Sequence, residues 1–307
     1  MRRMGFATTS KLILVMLLWA VCFPLILAGI GSAPHLSFAT LRALLAATVL
    51  LALTAILGRR FPRDLRVWAL LALSGFGATS LGFLGMFHAA EFISPGVATV
   101  IANTQPLMAA VLAHAFLDER LDARAKTGLA LGFAGIVLIA VPRLLAPGAA
   151  TYAVGVAYIG LAALGITGSN VLLKRLAGRV DPLVAMGIQL AFGSVPLAIA
   201  AGLTEIPAAI DWSPTFVIVL LALALPGTAL VYWLWFSLLA ALPLNRANAF
   251  SFLIPVFGLA MGVGWFGESL GGFEIIGVTL TLIGLARVIR GSSENRTVQT
   301  QAARGRA

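Results

Sequence analysis

Charge is scarce in this chain. Only 10% of its 307 residues are Asp, Glu, Lys or Arg, against about 25% in an ordinary soluble domain, so these residues cannot keep a protein surface wet. Histidine and cysteine are scarcer still: three of the first and one of the second, spread over different segments. A single cysteine, Cys22, excludes an internal disulfide, and the scatter offers no His/Cys set spaced to hold a metal. No HExxH, GxSxG or P-loop run occurs, so hydrolase, zinc-protease and nucleotide-binding chemistry lack their signatures. Neither an enzyme nor a bound cofactor is expected.

What fills the chain instead is apolar. Hydrophobic residues make up 60% of it and the mean hydropathy is +1.02. Uninterrupted apolar runs of about twenty residues recur, the length that crosses a hydrocarbon core of roughly 30 Å. Bounded by charges or Gly/Pro clusters, they predict ten spans, near 11–31, 35–57, 65–90, 94–117, 124–142, 152–173, 182–203, 214–241, 245–266 and 271–289. The links are short, so the expected fold is an all-α membrane protein without a soluble domain. The first run follows Arg2, Arg3 and Lys11 as a signal peptide's would, but its apolar core is too long for one, and it counts as a helix. The polar tail 290–307 is expected to be disordered.

The net charge of +10 follows topology. With the N-terminus inside, 19 of the 21 Lys and Arg fall in cytoplasmic segments, leaving Arg143 in an outer link and Arg42 within the second span. Such a bias sets orientation. It predicts cytoplasmic N and C termini and a lipid bilayer as the partner, with no nucleic acid.

The stretch Thr79 to Gly135 is written twice. A gap-free shift of 149 residues lays Pro106 on Pro255, Glu119 on Glu268, Leu121 on Leu270, Gly128 on Gly277 and Gly135 on Gly284. It also lays Thr79 on Thr228, Phe87 on Phe236 and Ala98 on Ala247. Matches at Pro and Glu carry weight in a chain with 14 prolines and 11 acidic residues. Five spans per copy is an odd number, so the copies, 11–142 and 152–289, must enter the membrane from opposite sides. Inverted repeats of this kind place a substrate site near the midplane and expose it alternately to each side.

Several residues are candidates to line that site. Phe83 with Phe87, and Tyr232 with Phe236, form i, i+4 aromatic stripes that the shift superposes, with Trp233 beside them; either cavity walls or bundle filling fits. Trp19 lies mid-span, where interfacial anchoring does not explain it. Thr99, Asn103 and Pro106, with Gln105 adjacent, share a face that recurs as Asn248, Ser251 and Pro255. A proline frees a carbonyl one turn earlier, tolerated in lipid only against protein or a watery cavity. Arg42 is suited to a carboxylate or to snorkelling. His88 and Glu91, i, i+3 neighbours at the outer end of the third span, suit either a proton relay or an interfacial pair. Asn170 and Gln189 are glue or ligands, and His114 packs. Glu119 and Glu268 are assigned to capping the following helix, and Gly128 and Gly277 to close helix approach.

Leu18-Trp19-Ala20, together with Pro106…Glu119-x-Leu121…Gly128…Gly135 and its second copy Pro255…Glu268-x-Leu270…Gly277…Gly284, resembles the EamA branch of the drug/metabolite transporter superfamily. The likeness spans residues 11 to 289, although no tryptophan stands near Leu164 to Asn170 to match Trp19. It implies a cavity lined by helices one to four and six to nine, with helices five and ten peripheral at a homodimer contact. It further implies a bacterial cytoplasmic (inner) membrane exporter of amino acids and related small amphipathic metabolites. A carrier of nucleotide sugars or organic phosphates is the second reading, disfavoured by a single intramembrane arginine, since phosphates usually require several cations. A non-transporting membrane scaffold is the reading from another class.

Overall fold

The computed structural model describes residues 6–93, 98, 101–102, 105–117, 122–144, 149–206, 209–267, 271–273, 275–284 and 286–288. Apart from an isolated bridge between Ala177 and Val180, regular structure among these residues is helical. The helices are α1 (Phe6–Gly29), α2 (His35–Ile56), α3 (Leu65–Ala89), α4 (Gln105–Leu117), α5 (Ala123–Leu144), α6 (Ala149–Leu176), α7 (Pro182–Thr204), α8 (Pro214–Ala241), α9 (Leu244–Gly264) and α10 (Ile275–Val288). Seven of them, α1 to α3 and α6 to α9, are long and apolar enough to cross a membrane, and α4 and α10 are shorter apolar helices as described. Large apolar side chains such as Leu65, Val111, Leu164 and Ile218 stay exposed, which suits lipid rather than water as solvent.

The helix starts follow from local chemistry. Asp64, Asp181 and Ser213 cap α3, α7 and α8 by accepting from the amides of Arg66, Leu183 and Phe216 at 2.8, 2.9 and 3.3 Å. Pro182 and Pro214 occupy first-turn positions that need no donor. The start of α2 is capped from far away: the Glu205 carboxylate, beyond the end of α7, accepts from the amides of Leu36 and Ser37, both at 2.7 Å, and from the Ser37 hydroxyl at 2.8 Å. At the opposite ends of the same two helices, Arg59 lies 3.7 Å from Asp181. The α2 and α7 helices are therefore antiparallel.

Two widened, π-helical stretches interrupt α3 at Phe76–Leu81 and α8 at Leu225–Leu230. They are 149 residues apart, the spacing of the sequence repeat. In α8 the stretch contains Pro226, which has no amide to donate, and beside it the Thr228 hydroxyl donates to the carbonyl of Leu223 at 2.8 Å. In α9 a 3₁₀ turn at Phe250–Phe252 precedes Pro255, which is where a proline disturbs the ladder. Pro106 is the second residue of α4.

Packing repeats as the sequence does. The α3 helix lies against α6 and α1 against α8; α4 lies against α6 and α1 against α9. Exchanging the two copies converts each of these pairings into its partner, and leaves the α2–α7 pairing as it is. The α5–α10 crossing behaves likewise. A Cβ at Gly128 would meet the carbonyl of Gly284, and one at Gly277 that of Gly135. Only glycine fits there, and the order of contacts makes α5 and α10 antiparallel.

Candidate substrate cavity

Where α1 to α4 meet α6, α8 and α9, a cavity of about 70 Å³ is lined by residues of both copies. The first contributes Trp19, Cys22, Phe23, Arg42, Phe83, Met86, Ala102 and Gln105; the second contributes Ala162, Ile166, Tyr232, Ser251 and Ile254. The space is smaller than the roughly 300–1,000 Å³ of sites that hold drug-sized ligands. In this state it accommodates a few waters, and a larger solute requires the two walls to part.

Arg42 dominates the chemistry. Its side chain is only 1% exposed. Nε donates to the Thr228 hydroxyl at 2.8 Å, and Nη2 to the Gly227 carbonyl and the Cys22 sulfur, each at 3.3 Å. The guanidinium carbon lies 4.3 Å from the centre of the Phe83 ring and 5.9 Å from that of Phe87, a cation–π arrangement. Nη1 is buried and has no hydrogen-bond partner among the described residues. The π-helical stretch of α8 thus supplies Gly227 and Thr228 to hold an arginine from α2. In the other copy Gln189 of α7 donates to Thr79, in the π-helical stretch of α3, at 3.0 Å. Each widened stretch is latched by the second helix of the opposite half, but only one latch carries charge.

Of the residues singled out in the sequence, Trp19, Arg42, Phe83, Gln105, Tyr232 and Ser251 meet at the cavity. Phe87 and Phe236 are fully buried in packed side chains instead. Trp233 faces away, 37% exposed, into an outer groove with Val49, Leu53 and Leu230. Asn248 is buried behind Ser251, whose hydroxyl donates to its backbone carbonyl at 2.7 Å. Asn170 accepts from the Trp235 indole at 2.8 Å, and the Trp235 ring lies 5.1 Å from that of Trp19. Thr99, Asn103, Glu119 and Glu268 lie outside the described residues.

His88 and Glu91 are arranged differently from a simple i, i+3 pair. Glu91 contacts Nε2 of His35 at 3.0 Å, and the His35 ring lies 5.3 Å from that of His88, whose ring lies in turn 5.1 Å from that of Tyr158, tilted by 32°. His35 was not marked by the sequence, because its neighbours come from helices distant in the chain. Cys22, Phe23, Met86, Ala162, Ile166 and Ile254 were missed for a plainer reason: in a chain 60% hydrophobic, nothing sets an apolar wall residue apart from an apolar core residue. Among the described residues no group of three or more His, Cys, Asp or Glu is placed to hold a metal.

Comparison with known proteins agrees with this geometry. The EamA-like transporter family matches residues 9–141 and again 153–290. A "Probable amino-acid metabolite efflux pump" of Salmonella typhimurium is 28% identical over 300 residues, covering 94% of this chain and 96% of that protein. A chloroplastic WAT1-related protein of Arabidopsis thaliana is 28% identical over 255 residues, 80% of this chain, which spans 61% of that longer relative. A crystal structure at 21% identity superposes with a TM-score of 0.72 over 92% of this chain and 96% of the other, and so shares the fold. The proteins gathered by the match are transporters, not enzymes, and the chain belongs to the EamA-like transporter family.

Proposed function

We propose that the chain is a secondary carrier exporting small amphipathic metabolites, amino acids among them, by alternating access across a bacterial inner membrane. Ten spans form two inverted five-helix halves, 11–142 and 152–289, with cytoplasmic termini and a polar tail at 290–307. The antiparallel packing of equivalent helices, α2 on α7 and α5 on α10, supports inversion. The observation that carries the proposal is the cavity, walled by Trp19, Arg42, Phe83 and Gln105 from one half and by Tyr232 and Ser251 from the other. A site shared by two halves opens to one side or the other as the halves rock. The substrate name carried by the Salmonella relative favours amino acids. In a homodimer, the outer faces of α5 and α10, where Phe133, Val137, Ile276 and Ile283 are exposed, would form the contact.

Efflux from proteoliposomes loaded with a panel of labelled amino acids and related acids and amines tests the reading. Saturable flux of at least one compound is expected, and Tyr232→Ala should lower it several-fold with wild-type expression. Absence of flux for every compound would remove the carrier function.

A further inference from the structure

The lining of the cavity is electrically one-sided. Arg42 brings a positive charge, and no Asp or Glu is among the lining residues. The sequence extends this to the whole chain: ten of the 11 acidic residues fall in the links or the tail, and the other, Glu274, stands in the first turn of the tenth run, 271–289. The guanidinium is held on one side by Thr228, Gly227 and Cys22, while Nη1 has no partner among the described residues. A buried donor on a charged group is costly to leave unmade, and an intramembrane charge without a counter-ion marks a ligand site. The Phe83 face, which would otherwise attract an ammonium, is already engaged, because the guanidinium itself lies over it. A second cation there meets like charge rather than an open π-face.

We infer that the cavity recognises the carboxylate of its substrate through Nη1 of Arg42 and has no anchor for an amino group, so its ligands are organic monocarboxylates with an apolar body, whether or not they carry an amine. The inference rests on the carrier reading for its meaning but not for its test, which is binding. The remaining wall, Phe23, Met86, Ile166 and Ile254 with the rings of Trp19 and Tyr232, suits the apolar body. A phosphate dianion is less well served by one donor, unpartnered among the described residues, which is itself enclosed in this state and becomes reachable only as the walls part.

The test is equilibrium binding to the purified full-length chain in detergent, with four probes that share one ring: 3-phenylpropanoate, phenylalanine, 3-phenylpropanamide and phenethylamine. The acid and the amino acid should bind within about threefold of each other, and the amide and amine at least about tenfold more weakly, as for loss of one charged hydrogen bond. Arg42→Gln should bring the acid down to the level of the amide. Should that variant fail to fold, the wild-type series still decides, because the charge is then altered on the ligand. Amide or amine binding as tightly as the acid, or no binding by any probe, overturns the inference. Binding that favours the acid, with no flux of any compound in vesicles, would uphold it while removing the carrier function; equal flux of acid and amine would do the reverse.

Discussion

At the residue scale, Arg42 and Glu205 are among the polar side chains that join the halves, each by satisfying groups of the opposite half that would otherwise go unpaired. Arg42 anchors α2 to the widened stretch of α8. Glu205 gives the first amides of α2 their one carboxylate cap among the described residues, accepting from two amides at 2.7 Å and from the Ser37 hydroxyl at 2.8 Å. Removing that negative charge from a helix N-terminus should cost about 1–2 kcal/mol. Glu205→Gln is therefore expected to lower the melting temperature of the detergent-solubilised protein by a few degrees, and an unchanged melting curve would deny the cap its role. Arg42 stood out in the sequence as the lone basic residue inside an apolar run; its partners did not, since Thr228 is 186 positions away. Trp233 shows the opposite limit. It neighbours Tyr232 in sequence, yet a helix turns successive residues about 100° apart, so Tyr232 lines the cavity and Trp233 the outer groove.

At the scale of elements, glycine and proline decide where helices touch and where they widen. The α5–α10 crossing is close because Gly128, Gly135, Gly277 and Gly284 leave room for backbone against backbone. A larger side chain at any of the four meets the backbone of the facing helix, which cannot move aside as a side chain can. Gly135→Leu should cost about 1–3 kcal/mol by overpacking and reduce thermal stability, while the same change at Gly160, where an added Cβ meets nothing within 4 Å, should leave it near wild type. Equal behaviour of the two variants would rule out this account of the crossing. The glycine repeat was readable from sequence because its spacing is strict. The π-helical stretch of α3 was not, since Phe76–Leu81 contains no proline to announce it; only its correspondence with the Pro226 segment of α8 gives it meaning.

At the scale of the molecule, two copies of one unit enclose a chamber to which both contribute. Class and membrane character were legible because lipid imposes long apolar runs, and the repeat was legible because no insertion separates its matching residues. The chamber was legible in part. Aromatic and polar candidates at equivalent positions pointed to it, but which turn of a helix faces inward depends on helix rotation: Phe83 and its equivalent Tyr232 line the cavity, while Phe87 and its equivalent Phe236, one turn on, are packed in the core. The expected fourth and tenth spans, 94–117 and 271–289, include residues outside the described ones; the described helices within them are Gln105–Leu117 and Ile275–Val288.

Central to the proposed function is a chamber that opens to each side in turn, and the chain carries its own reporter. Cys22 is the sole cysteine, lies in the cavity wall and is 2% exposed in this state. Vesicles of each orientation can be exposed to a charged, membrane-impermeant thiol reagent, with Cys22→Ser as the blank. Labelling of Cys22 from both faces, shifted toward one face by a bound substrate, is the predicted result. Labelling from neither face, or from one face only under every condition, would contradict a shared chamber with alternating access.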